Sequence, residues 1–175
     1  MSTLSMTPRP ATTGDIPQLV AIHAQAWRET YPGLLPDSEI ERMTGPDRLT
    51  AVWTAILARP DVRAAILPEA GFATMGRQRD PGLREAGYPE ELWAIYLLQS
   101  AQGTGFGRAL LAFVAGATAF TALVVECNAR ASRFYEQSGG RIIGRRPDRI
   151  GETDIVELVF AWGDGGLQWN AGQQP

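Results

Sequence analysis

Ile95-Tyr-Leu-Leu-Gln-Ser-Ala-Gln102-Gly-Thr-Gly105-Phe-Gly107-Arg-Ala-Leu-Leu111 changes character twice within a few residues. Its first part continues the apolar run Leu92 to Leu98, as a strand covered on both faces would. Gly103, Gly105 and Gly107 then leave backbone N–H groups unobstructed. The Ala/Leu-rich segment that follows predicts a helix from about Arg108 to Gly116. A helix N-terminus adds the positive end of its dipole to those amides, so an anion is favoured at the turn. Arg108 can add a charge-assisted hydrogen bond there. The dinucleotide pattern G-x-G-x-x-G would need glycine at position 108, where Arg stands.

Elements of both kinds flank this unit. Ile16, Leu19, Val20, His23 and Trp27 recur at three- and four-residue spacing and predict an amphipathic helix after a short strand at Arg9-Pro10. Further helices are expected at Pro36 to Met43 and Asp47 to Leu57. Val62 to Leu67 and Phe72 to Met75 read as a hairpin, and Arg77 to Pro89 as a polar loop. Ala122 to Cys127 predicts a strand, and Ala129 to Ser138 a helix stopped by Gly139-Gly140. Arg141 to Gly144 and Asp154 to Trp162 predict a closing strand pair. The alternation makes this an α/β (α+β) chain with helices flanking a mixed central sheet of about six to seven strands. Residues 1–165 are expected to form one domain, and the Gly- and Gln-rich residues 166–175 a mobile tail.

Composition excludes several chemistries. The chain has 175 residues, 45% of them hydrophobic, which suits an ordinary buried core. All cationic side chains are Arg, so a Walker-type phosphate loop and a Schiff-base lysine are both excluded. One His and one Cys cannot make a Cys/His zinc site or an internal disulfide, and no metal is expected. A net charge of −3 argues against nucleic-acid binding. No signal-peptide core opens the chain, and the apolar run Ala109 to Val125 is shorter than the ~20 residues that cross a bilayer. A cytoplasmic protein without membrane contact is the expectation.

The quoted stretch resembles the coenzyme A motif of the GNAT superfamily of N-acetyltransferases, Q/R-x-x-G-x-G/A. Asn128-Ala-Arg-Ala131-Ser-Arg-Phe134-Tyr135-Glu136 is similar to the second signature of that family, N-x-x-A-x-x-F-Y-E. The segment Ala26-Trp27-Arg-Glu-Thr-Tyr31 is typical of its bacterial members. The resemblance covers about residues 8 to 165 and implies the GNAT fold with acetyl-CoA as cosubstrate. It implies that backbone groups of Ile95, Tyr96 and Leu97 pair with the pantetheine arm. Gln102, Gly103, Thr104, Gly105, Phe106, Gly107 and Arg108 would hold the pyrophosphate. Asn128 would lie near the thiol end and Tyr135 would face the sulfur. A homodimer is a common assembly of that fold. Three departures stand out: Gln99 replaces the usual Pro, Gly140 replaces a Phe after the helix, and the turn at Pro68 to Gly71 is shorter than usual.

Acetyl transfer to an amine needs a neutral nucleophile, a stabilised oxyanion and a protonated leaving thiolate. Tyr135 is the candidate acid for the thiolate. Glu91, at the strand entry, is the candidate base, because some family members carry a carboxylate at that offset from the glycine turn. Glu126 is a second candidate. His23 reads as a half-buried core residue on an apolar helix face. Trp27, Tyr31 and Trp93 are candidates to wall the acceptor pocket, whose ligand is an amine of a small molecule or protein. A fold of this kind that binds coenzyme A without turnover, as sensor or scaffold, is the alternative.

Overall fold

The three- and four-residue spacing of Leu19, Ile22, Ala26 and Trp27 gives helix α1 (Ile16–Thr30) one buried face. Residues 7–164 are described by the computed structural model; the tail expected over 166–175 lies outside the described residues. Helices α2 (Asp37–Met43) and α3 (Pro46–Leu57) follow α1. Strand β1 (Arg9–Pro10) precedes α1, and β2 (Arg63–Leu67) and β3 (Gly71–Arg77) form a hairpin after α3. Short helix α4 (Pro81–Glu85) then leads to β4 (Glu90–Leu97). Helix α5 (Phe106–Val114), β5 (Phe120–Val125), α6 (Ala129–Gln137), β6 (Arg141–Ile150) and β7 (Thr153–Trp162) complete the order.

The strands make one sheet in the order β1-β2-β3-β4-β5-β7-β6. Every neighbouring pair is antiparallel except β4 with β5, which is parallel. A parallel pair needs a crossover, and α5 supplies it. Residues of α5 and α6 pack on one face with Ala73, Met75, Leu92, Val124 and Phe160. On the opposite face α1 and α3 cover Ile66 and Phe72, and α2 adds Ile40 beside Val125 and Ile155. Because β4 lies inside the sheet, both its faces are apolar, as its sequence requires.

Three local differences from the sequence reading have physical causes. The polar loop contains α4, set by Pro81 at its first position and by the Asp80 side chain, whose Oδ1 accepts from Leu83 N at 3.1 Å. Strand β5 starts earlier than Ala122, because Phe120 and Thr121 pair with β4 and with β7. Strand β6 runs on to Ile150, held to β7 by the Arg146–Glu157 and Arg149–Asp154 ion pairs. The unusual Gly140 is also explained. A Cβ there would lie 2.6 Å from the Trp162 ring, which packs edge-on against Tyr135 and fills the space that an aromatic at 140 would take. Gln99, unlike Pro, has an N–H to satisfy, and the Glu29 carboxylate accepts it at 2.6 Å. Among the described residues no helix is long and apolar enough to cross a membrane.

Candidate active site

Strands β4 and β5 pair only at Glu90↔Phe120, Glu91↔Thr121 and Leu92↔Ala122. Opposite β3, the register jumps from Met75↔Leu92 to Thr74↔Ala94, so Trp93 is the extra residue of a bulge. Beyond it β4 stays with β3 as far as Leu97, while β5 stays with β7 as far as Val125. The two strands splay apart. The β5-facing backbone groups along Trp93 to Leu97 are therefore left without a strand partner, which is costly unless something else pairs with them. A cavity of about 580 Å³ fills the opening and is lined by Ile95, Tyr96 and Leu97.

The cavity continues to the glycine turn, where Gln102, Gly103, Gly105, Gly107 and Arg108 line it. Gly103 and Gly105 adopt φ of 77° and 89°, a left-handed conformation that glycine reaches without strain. At both positions the space a Cβ would occupy is open. Gly107 differs: its Cβ would meet Phe134 at 2.9 Å, so glycine is needed there for α5 to approach α6. The first intrahelical bond recorded is Ala109 N to Gly105 O at 3.1 Å. Among the described residues no acceptor takes the N–H groups of Gly103 to Arg108. Six consecutive free amides at a helix start form an anion-binding nest. The Gln102 side chain braces the turn, donating to Leu97 O at 2.9 Å. Thr104 donates to Ala101 O at 2.6 Å, and neither Thr104 nor Phe106 lines the cavity.

Helix α6 closes the other side. Asn128 caps it, with Oδ1 accepting from Ala131 N at 3.1 Å, and lines the cavity together with Tyr135. The Tyr135 ring is wedged among Phe134, Phe160 and Trp162. Burial, reinforced by the Tyr31 phenol, pushes its own phenol well above the ordinary tyrosine value, so it keeps its proton at neutral pH. The sequence reading did not single out Arg130 and Arg133, which line the cavity beside Arg108. Their signal was two arginines three apart on one helix face near the glycine turn, read there only as motif spacing. Among the described residues no carboxylate lines the cavity.

The candidates for the acceptor side divide. Tyr31 and Trp93 line the cavity, whereas Trp27 is buried behind Tyr31 with ring centroids 4.5 Å apart. Glu91 lies outside the cavity, in the stretch where β4 and β5 still pair. Its carboxylate is buried and gripped by Arg79, Oε1 to Nη2 at 2.6 Å. Glu126 is also outside, in an exposed ion pair with Arg145 that holds its carboxylate below the usual range. His23 lies among Trp27, Trp53, Phe72 and Tyr96, and burial lowers its imidazole to about 4.

Known structures share this architecture. PaiA N-acetyltransferase from Thermoplasma acidophilum, solved in complex with coenzyme A, superposes with a TM-score of 0.60 at 16% identity, covering 89% of this chain and 98% of that one. YncA from Salmonella typhimurium, solved with its cofactor acetyl-CoA, gives 0.63 at 20% identity, covering 98% of each. At such identities the likeness is one of fold. No protein-family model matches the chain. Fold, splay and glycine turn together define the class: the chain has the fold of the GNAT acetyltransferases. In sequence it is similar to the uncharacterised N-acetyltransferase YuaI of Bacillus subtilis (strain 168), 27% identical over 170 residues and covering 91% of this chain and 94% of that protein.

Proposed function

We propose that this protein moves the acetyl group of acetyl-CoA to a primary amine, on a small molecule or a protein, by direct attack of the amine on the thioester. The observation that carries the reading is the continuity of the unpaired β4 edge with the free amides of Gly103 to Arg108. An extended chain of alternating amide groups that ends in a pyrophosphate satisfies both at once. Ile95 to Leu97 would pair with its pantetheine arm as with an added strand. The amide nest would take the pyrophosphate, and Arg108, Arg130 and Arg133 would add charge along the same wall. The Asn128 amide group, with its oxygen occupied by the cap, would offer N–H near the thiol end.

The residues then divide the chemistry. Backbone N–H of β4 near Leu97 would stabilise the oxyanion. Tyr135 would protonate the departing thiolate, whose pKa is about 8.5 like that of Cys. A primary amine of pKa about 10 is only about 0.1% neutral at pH 7, a cost near 4 kcal/mol. Neither Glu91 nor Glu126 reaches the cavity to help, so water would carry the amine proton away. The reaction would occupy one domain, and the lone cysteine suits a cytoplasmic setting.

A panel of primary amines and aminated antibiotics incubated with acetyl-CoA, with release of free thiol as the readout, tests the reading. Amine-dependent thiol release is expected for at least one structural class. Tight coenzyme A binding with no thiol release for any amine would instead mark a binding module.

A further inference from the structure

Tyr31, at the C-terminal end of α1, and Tyr96, on β4, are 65 positions apart and set their hydroxyl oxygens 2.9 Å from each other. Both residues line the cavity. A hydroxyl carries one proton and two lone pairs, so a pair that shares one bond keeps one O–H and three lone pairs free. The Trp27 indole N–H approaches the Tyr96 oxygen and can take one of those lone pairs, which leaves two. The rings are held by packing instead: Trp27 lies against Tyr31, and His23 stacks on Tyr96 at 5.7 Å and 26°. Two phenol oxygens are thus fixed by their aromatic surroundings, on residues that line the cavity, and keep unused bonding capacity.

Their side of the sheet matters. Tyr96 packs with the α1 and α3 face, whereas Ile95, Leu97 and Tyr135 belong to the α5 and α6 face. The glycine turn opens the α5 helix, so a ligand seated on it enters from that second face. The hydroxyl pair meets it from the opposite one. An attacking amine needs its lone pair free for the acetyl carbon, and its N–H bonds then need acceptors. Among the described residues no carboxylate lines the cavity, and Glu157, whose charge acts on Tyr31, is already paired with Arg146 at 3.1 Å, so it is an uncharged amine that the phenol oxygens suit. Burial pushes both phenols above their ordinary value, so they stay neutral.

We propose that the Tyr31–Tyr96 hydroxyl pair is the acceptor subsite, whose free oxygen lone pairs accept a hydrogen bond from an N–H of an uncharged amine and turn its nitrogen toward the acetyl carbon. This rests on the acetyl-transfer reading and adds the acceptor's charge state and its anchor. Trp27, Phe72 and His23 act through these rings as positioning residues.

Two coenzyme A thioethers test it without knowledge of the natural acceptor: S-(N-methylcarbamoylmethyl)-coenzyme A, an amide, and S-(methoxycarbonylmethyl)-coenzyme A, the ester of the same shape without the N–H. Calorimetry should show the wild type binding the amide about tenfold more tightly than the ester, the value of one neutral hydrogen bond to a buried oxygen. The double variant Tyr31→Phe/Tyr96→Phe should bring the ratio close to one. The ratio cancels any general weakening of binding, and Tyr31→Phe alone serves if the double variant does not fold. A wild-type ratio near one, or a tenfold ratio that survives both substitutions, overturns the subsite. Wild-type protein that binds neither thioether nor coenzyme A itself would instead remove the acetyl-transfer reading on which the subsite stands.

Discussion

The Glu91 carboxylate, only 2% exposed, grips the guanidinium of Arg79, 59% exposed, through two contacts: Oε1 to Nη2 at 2.6 Å and Oε2 to Nε at 3.0 Å. Arg79 N adds a third at 3.2 Å. The carboxylate thereby ties the chain leaving β3 to the entry of β4, next to the bulge that opens the site. Arg79 in turn lies 5.2 Å from the Trp93 ring centroid, a cation–π contact at the bulged residue itself.

Glu91→Gln therefore should behave as a stability variant. Loss of a charge-assisted bond should lower unfolding free energy by about 1.5–3 kcal/mol, measured by urea melts. The pH dependence of turnover, normalised to folded protein, should keep its shape. A flattened acidic limb would return Glu91 to the role of base.

Coenzyme A should raise the melting temperature through preferential binding to the folded state. At 100-fold excess over Kd the gain is about 2.7 kcal/mol, or roughly 5–10 °C for a chain of this size. Gly105→Val should abolish the shift for two reasons. Its φ of 89° is strained for a β-branched residue, and its Cβ would project into the open space beside the amide nest. A wild-type melting curve unmoved by millimolar coenzyme A would contradict the assignment of the turn.

Tyr135→Phe keeps the ring among Phe134, Phe160 and Trp162 and removes only the hydroxyl. If that hydroxyl protonates the leaving thiolate, kcat should fall by about 10²–10⁴-fold while coenzyme A affinity changes little. Steady-state kinetics beside calorimetry separates the two effects. Equal loss in both would mean that the phenol only supports the cofactor wall.

His23 gives the fold a defined acid sensitivity. Burial lowers its imidazole to about 4, below the value of about 6.5 expected in the unfolded chain. The folded state thus resists a proton that the unfolded state accepts. Its full stability is present above pH 6.5, falls as pH drops toward 4, and levels off below that. The loss is about 3 kcal/mol over the window by linkage. His23→Phe should erase this part of the pH profile in urea melts at pH 4 to 7, leaving the contribution of the carboxylates.

Strand, glycine turn and helix over residues 95–111, and the helix α6 with its aromatic pair, were legible in the sequence because each is local. Turn chemistry and helix period depend on neighbours a few residues away, and the amide nest follows from glycine positions alone. Where β4 leaves β5 was not legible. That depends on the extra residue at Trp93, which exists only relative to the register of β3, and a one-residue shift moves every following side chain to the other face. The same register keeps Glu91 inside the paired part of the sheet, although the resemblance, through its offset from the glycine turn, implied a base there. Tyr31 and Tyr96 illustrate the other limit. The sequence offered Tyr31 for the acceptor wall and Tyr96 only for its strand backbone, and only the packing of α1 across the sheet brings their hydroxyls together. Local chemistry was written in the order of residues, whereas the long-range meetings that shape the acceptor side were decided by how helix and sheet pack.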